Sequence, residues 1–137
     1  MPPVLTRKQF DDAERHLLHR GRFGNATVWR LSGDEGPWVI KDFSACPTLV
    51  RWTWGRWLAG HEYRVLRRLQ GVPGVPAAPF RLDALALGYR FIEGSPLREI
   101  EQGTSGREYF ERLEDMVRAM LSESLRAVIS QTLLKTK

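Results

Sequence analysis

The feature that most constrains the fold is a pair of apolar segments joined by a short turn. Residues 26–32 and 37–43 are rich in strand-forming side chains, and residues 33–36, Gly-Asp-Glu-Gly, have the composition of a hairpin turn. A connection this short requires the two strands to pair antiparallel. The sequence therefore predicts a hairpin, and its return strand carries Lys41 among apolar neighbours.

Lys41 stands apart from the other basic residues. Arginine occurs 17 times and lysine only four times, and the other three lysines lie near the ends of the chain. Lysine offers a compact point charge on a flexible stem, which suits contact with phosphate. A solvated strand face would also explain a lysine here, because side chains alternate along a strand.

Two further features flank the hairpin in an order that suggests a nucleotide site. Gly21 and Gly24 form a turn that runs into the first strand at Val28, and an amphipathic helix from Trp57 carries Glu62 in its middle. Backbone N–H groups over phosphates, an ammonium on them and a carboxylate holding the ammonium form a nucleoside-triphosphate clamp. Taken singly, these features are also explained by an ordinary turn and a surface helix charge.

The remaining segments complete an α+β pattern. A capping box at Thr6 and Gln9 predicts a helix over residues 7–19, although a strand over 17–23 stays open. The Gly/Pro-rich residues 71–79 form a connector. Further expectations are strands near 80–86 and 88–92, a short helical piece from 95 or 96 to 102, and a long helix from 107 to the end.

Residues 85–97 have the form of a strand that leaves its sheet as an extended linker, through Phe91-Ile92-Glu93-Gly94. With the turn, the lysine and the glutamate, this linker makes residues 15–120 resemble the N-terminal lobe of the protein-kinase-like superfamily. The likeness is greatest to the bacterial branch of RIO-like and lipopolysaccharide (Kdo and heptose) kinases. Trp38-Val39-Ile40-Lys41 is similar to the V-A-I-K strand of that superfamily.

The resemblance implies ATP as ligand and assigns a role to each matching residue. Lys41 would contact the α- and β-phosphates, Glu62 would hold Lys41, and residues 21–28 would cover the phosphates. Phe23 and Ala26 stand where kinases more often have glycine. Tyr89 would be the gatekeeper beside the adenine. The implied ATP-binding residues are Gly21, Gly24, Val28, Lys41, Glu62, Arg90 through its carbonyl and Ile92 through its amide.

The chain departs from the family pattern after the expected long helix. His-x-Asp, its nearby Asn and a later Asp-Phe-Gly are absent, and Asp42-Phe43-Ser44 adjoins the strand lysine instead. By resemblance Mg²⁺ would accompany ATP, but its ligands are missing from the sequence. We expect an incomplete kinase domain, truncated before the catalytic loop and inactive alone. Residues 1–104 would form the N-lobe with its hinge, and 105–137 a helix that begins the second lobe.

A second interpretation is a non-catalytic interaction module. The C-terminal helix would then self-associate or dock on a partner protein through its apolar stripe. The 17 arginines are scattered among acids, a distribution that argues against a nucleic-acid partner. Trp52, Trp54 and Trp57 fit either a membrane-surface patch or a helix start packed on a sheet.

Composition bears on the kind of partner, on disulfides and on the expected location. The net charge of +5 suits an anionic partner, and Cys46 is the only cysteine, so no disulfide can form within the chain. No apolar run reaches the roughly 20 residues of a transmembrane helix, and the start lacks a secretory signal, so the expected location is the cytoplasm.

Overall fold

The computed structural model describes residues 5–34, 36–94 and 106–135, and it is an α+β structure. Within those ranges the helices and strands, in chain order, are α1 Arg7–Asp12, β1 Arg15–His19, β2 Thr27–Leu31, β3 Trp38–Asp42, α2 Thr48–Val50, α3 Arg56–Arg68, β4 Phe80–Arg81, β5 Ala86–Arg90 and α4 Arg107–Lys135. A π-helical turn, Arg51–Gly55, joins α2 to α3.

The chain divides into two compact units. The first unit comprises Met1–Gln70 and Pro76–Ile92 and contains every strand of the described chain. The second comprises Gly71–Val75 and Glu93–Lys137 and contains α4. The domain boundary expected at residues 104 and 105 falls outside the described residues, as does the short helical piece expected up to Gln102.

The strands form one antiparallel sheet of five strands in the order β1-β2-β3-β5-β4. The hairpin expected from the sequence is confirmed as β2 and β3, in a register that pairs Val28 with Lys41. Its turn is closed by the Gly36 N–H, which donates to the Gly33 carbonyl at 3.0 Å. Gly36 has a φ of 110°, a conformation that glycine adopts without steric cost.

One face of the sheet packs against α1. Its buried core consists of Phe10, Leu31, Trp38, Ile40 and Phe80, and the Trp38 and Phe80 rings meet edge to face at 5.5 Å. Gly88 lies against the Phe80 ring, where a Cβ atom would come within 2.5 Å of the ring.

The opposite face packs against α3. Its buried core consists of Ala26, Phe43, Cys46, Ala59 and Leu87. Helix α3 can come this close to the sheet because small residues face it: Ala59 is fully buried, and a Cβ atom on Gly55 would lie 3.2 Å from Phe43 Cβ. The side chain of Lys41 also lies on this face. Side chains alternate along a strand, and the neighbouring Ile40 belongs to the core on the α1 side.

The helix predicted over residues 7–19 was wrong beyond Asp12. The capping box at Thr6 and Gln9 forms, but Ala13 is extended, with φ −77° and ψ 149°, and β1 begins at Arg15. Asp11 and Asp12 stand at the helix C-terminus, where acidic side chains interact unfavourably with the helix dipole. Pairing of β1 with β2 supplies the backbone hydrogen bonds instead. The first strand that the sequence left open over residues 17–23 is therefore present, but it covers Arg15–His19.

The strand predicted over residues 80–86 was wrong in extent. Only Phe80–Arg81 is extended, because the Leu82 and Asp83 N–H groups turn back to the Ala86 carbonyl. The strand expected near residues 88–92 is confirmed as β5, which begins and ends two residues earlier. The long C-terminal helix is confirmed as α4. Within the described ranges no helix combines the length and apolarity that crossing a bilayer requires.

Candidate functional site

A cleft of about 560 Å³ lies in the first unit, on the face of the sheet that α3 covers. Small-molecule sites commonly measure some 300–1,000 Å³. Strands β2 and β3 form its floor, α3 forms one wall, and the loop between β1 and β2 forms its rim. Its lining residues are His19, Gly24, Asn25, Ala26, Val28, Lys41, Phe43, Leu58, His61, Glu62, Val65 and Leu66.

Lys41 and Glu62 meet within this cleft. Lys41 Nζ donates to Glu62 Oε1 at 2.6 Å, and the two side chains are 27% and 31% exposed. A charge-assisted hydrogen bond of this length holds the ammonium in one place while part of it stays open to a ligand. The pairing expected from the sequence is therefore present in the structure.

The local fold explains why these two side chains meet. Lys41 pairs with Val28 on one side and Leu87 on the other, so these three side chains form a row on the same face of the sheet. Ala59, Glu62 and Leu66 follow at intervals of three and four residues on α3, which places them on one side of the helix. Burial of Ala59 against the sheet turns Glu62 toward the row that contains Lys41.

The loop from Gly21 to Asn25 is a tight turn above the cleft. The Asn25 N–H donates to the Arg22 carbonyl at 3.0 Å, and the Gly21 N–H donates to Thr27 Oγ1 at 3.3 Å. Phe23 has a φ of 50°, the left-handed conformation found where successive N–H groups converge on an anion. In the described chain, the N–H groups of Arg22, Phe23 and Gly24 donate no hydrogen bond.

The two glycines of this loop differ in what they do. A Cβ atom on Gly21 would lie 2.1 Å from the Asn25 carbonyl oxygen, so the closed turn requires glycine there. A Cβ atom on Gly24 would make ordinary contacts, the nearest to Trp54 at 3.6 Å. Gly24 lines the cleft, whereas Gly21 shapes the loop from outside it.

Tyr89 lies on β5, on the same side of the sheet as Lys41. It packs against the core that includes Phe43 and Leu87. Burial, and after it the negative charge of Glu62, raise the pKa of Tyr89 to about 12. The phenol therefore stays neutral. Tyr89 is partly buried in this core and is not among the residues that line the cleft.

Arg90 and Ile92, assigned to the adenine by resemblance, are not among the residues that line the cleft. Arg90 ends β5, its N–H donates to the Ala77 carbonyl at 2.9 Å, and its guanidinium lies 4.3 Å from the Trp38 ring centroid. Ile92 is 53% exposed. Their contact with a nucleotide base stays a prediction.

The sequence did not single out several residues of the cleft. His61 lines the wall beside Glu62 and stacks on Trp57, with ring centroids 5.1 Å apart. Asn25 lies at the rim, and its carbonyl accepts a 3.6 Å hydrogen bond from the Cys46 thiol. The one available signal was the position of His61 directly before Glu62, which places it on a neighbouring side of the helix.

The cleft has a basic group but no cluster of metal ligands. In the part of the chain that the structure describes, no three His, Cys, Asp or Glu side chains come close enough to hold a metal ion. Asp42 accepts hydrogen bonds from Arg7 Nη1 at 2.6 Å and from the Ser44 N–H at 2.9 Å, so it serves the packing of α1.

The sequence matches no protein-family model, and no curated protein matches it significantly.

Proposed function

We propose that the first unit binds a nucleoside triphosphate, ATP by the resemblance to protein-kinase-like N-lobes, in the cleft between α3 and the sheet. The phosphates would lie between the Gly21–Asn25 loop and Lys41. The observation that carries the proposal is the 2.6 Å ion pair between Lys41 and Glu62, inside a cleft whose rim is that loop.

Two kinds of hydrogen-bond donor at the cleft would suit an anionic ligand. Lys41 supplies an ammonium already fixed by Glu62, and the loop adds the N–H groups of Arg22, Phe23 and Gly24, which have no hydrogen-bond partners in the described chain. These are the two kinds of group that hold triphosphates in phosphate-binding folds. Val28 and Leu58 give the cleft apolar surface that would suit a ring.

The same features support the kinase-like relationship, which we propose with the function. A loop between β1 and β2, a lysine on β3 and a glutamate on the helix that follows occur in the order that the superfamily uses. The proposal is limited to nucleotide binding. Phosphoryl transfer depends on held Mg²⁺ and an oriented acceptor, and matching motifs for those roles are not found in the 137 residues.

Titration with a fluorescent ATP analogue tests nucleotide binding. We expect saturable binding to the unaltered chain, and a loss of about 10- to 100-fold in affinity for Lys41→Met, since a hydrogen bond to a charged group contributes about 1.5–3 kcal/mol. Lys8→Met removes an exposed lysine from α1 and is the matched control. Equal affinity of Lys41→Met and Lys8→Met would contradict the proposal.

A second candidate function is association through α4. This helix exposes Phe110, Val117, Leu121 and Leu125, each between 45% and 62% accessible, at intervals that place them along one side. Exposed apolar stripes of this kind mark interaction surfaces in soluble proteins. Self-association with no response to nucleotide would favour this candidate over the first.

A further inference from the structure

The first unit exposes a cluster of large apolar side chains beside the cleft, which we call the tryptophan patch. It consists of Leu49, Trp52, Trp54 and Trp57 from the helical segment 48–57, and Phe23 from the adjoining loop. The four helical members are 83%, 58%, 54% and 52% exposed, and Phe23 is 85% exposed.

Ring stacking and loop packing connect several members of the tryptophan patch. The Trp54 and Trp57 rings stack at 5.3 Å, and Trp57 stacks in turn on His61. Gly24, the neighbour of Phe23, lies against Trp54 and Val50. Leu49 and Trp52 are three residues apart, where α2 runs into the π-helical turn.

The two sequence segments that carry the tryptophan patch contain arginines but no acidic residues. Residues 15–33 contain four arginines and no acid, and residues 43–61 contain two arginines and no acid. Arg22 and Arg56 are exposed, and the Arg56 guanidinium lies 5.6 Å from the Trp52 ring centroid. The nearest acids in the sequence, Glu62 and Asp42, already pair with Lys41 and Arg7.

We propose that the tryptophan patch binds the surface of a bilayer that contains anionic lipid. Tryptophan and arginine on one surface are typical of interfacial segments, where rings enter the headgroup layer and guanidinium groups contact anionic headgroups. The almost fully exposed Leu49 and Phe23 would insert most deeply. This inference is independent of nucleotide binding.

The geometry favours a bilayer over single-stranded nucleic acid. Proteins that hold single strands offer free aromatic faces on which bases stack. Here the faces of Trp54 and Trp57 are turned to each other, and Trp57 also faces His61. An exposed aliphatic side chain such as Leu49 offers no stacking surface to a base but gains from contact with acyl chains.

Flotation with vesicles tests the inference on the full chain. We expect binding to vesicles of phosphatidylcholine with 30% phosphatidylglycerol, and at least tenfold weaker binding to pure phosphatidylcholine. Trp52→Ala/Trp57→Ala and Arg22→Gln/Arg56→Gln should each weaken binding to the anionic vesicles at least tenfold. Lipids brominated on their acyl chains should quench the tryptophan fluorescence of the unaltered protein, which tests insertion without any substitution.

Matched controls separate this inference from a general effect of charge and from the proposed function. Arg67→Gln/Arg68→Gln removes the same charge from the far end of α3 and should bind vesicles as the unaltered chain does. Lys41→Met should also leave vesicle binding unchanged. The inference is overturned if no vesicle binding is seen, or if the control and patch variants lose binding equally. It is also overturned if the tryptophan patch captures a single-stranded oligonucleotide in place of vesicles.

Discussion

At the scale of single residues, the Lys41–Glu62 pair was the part of the site most open to prediction. Lysine is scarce in the body of the chain, and a lysine inside an apolar strand stands out without any knowledge of the fold. Glu62 follows Lys41 by 21 residues, and that distance places it in the middle of the expected amphipathic helix. His61 and Asn25 carried no such signal, because their place at the cleft depends on how α3 and the loop approach the sheet.

The two loop glycines should respond differently to substitution. Gly21→Ala would place a methyl group on the Asn25 carbonyl and force the turn open, so we expect a loss of stability of about 1–3 kcal/mol and weaker binding of an ATP analogue. Gly24→Ala meets only ordinary contacts and is the control for the stability measurement. Urea unfolding and analogue titration measure both effects, and equal behaviour of the two variants would disprove the assignment.

Tyr89 gives a pH-dependent prediction. Its pKa in the folded protein, about 12, lies above the value of about 10 expected in the unfolded chain, so Tyr89 favours folding below pH 10. That stabilisation is lost as the pH rises from about 10 to 12. Tyr89→Phe should remove the part of the tyrosinate absorbance that develops near pH 12. If the absorbance lost in Tyr89→Phe instead develops near pH 10, Tyr89 is not buried as described.

At the scale of elements, Arg7 links α1 to the sheet. Its guanidinium donates to Asp42 at 2.6 Å and to Asp83 at 2.7 Å, and it lies 5.7 Å from the Phe10 ring centroid. Asp42 is on β3, and Asp83 is in the turn before β5. The short helix therefore depends on this contact and on Phe10 for its place against the sheet.

Loss of Arg7 should destabilise the first unit. Arg7→Met leaves the buried carboxylate of Asp42 without its cation, and we expect a cost of about 2 kcal/mol in the free energy of unfolding. Lys8→Met, an exposed change on the same helix, should cost little. Urea denaturation followed by circular dichroism measures both. Adding Asp42→Asn to Arg7→Met should recover part of the loss, and a further loss would argue against this explanation.

Element boundaries show where sequence reasoning stopped short. The capping box correctly marked the start of α1, since that signal is local. The end of α1 was missed because Ala13 and Leu17 continue a helical spacing by coincidence, while pairing with β2 decides their conformation. Turn chemistry at Asp83 shortened β4 in the same way: its side chain accepts from the Leu85 N–H at 2.7 Å.

At the scale of the whole molecule, the α+β class and the antiparallel sheet were predictable, but the order of strands was not. Local patterns indicate which segments are extended, whereas β5 lies between β3 and β4 through contacts distant in sequence. The kinase-like lobe stays a prediction. It rests on the resemblance of the sequence to kinase N-lobes and on the proposed nucleotide binding.

The apolar stripe on α4 predicts concentration-dependent mass in solution. Val117→Glu/Leu121→Glu should shift the weight-average mass in sedimentation velocity toward that of the monomer, because charges on the stripe oppose its burial. Ser122→Glu, on an already exposed polar position, is the control. A mass that stays monomeric for the unaltered chain at all concentrations would exclude self-association through α4.

The position of β5 between β3 and β4 has a consequence for synthesis on the ribosome. Strand β3 ends at Asp42, yet its partner on the far side is not complete until Arg90 has been made. At roughly 5–20 residues per second, that delay amounts to a few seconds. Throughout it, the nascent hairpin presents an open strand edge of the kind that chaperones shield, so depletion of such chaperones should lower the yield of folded protein.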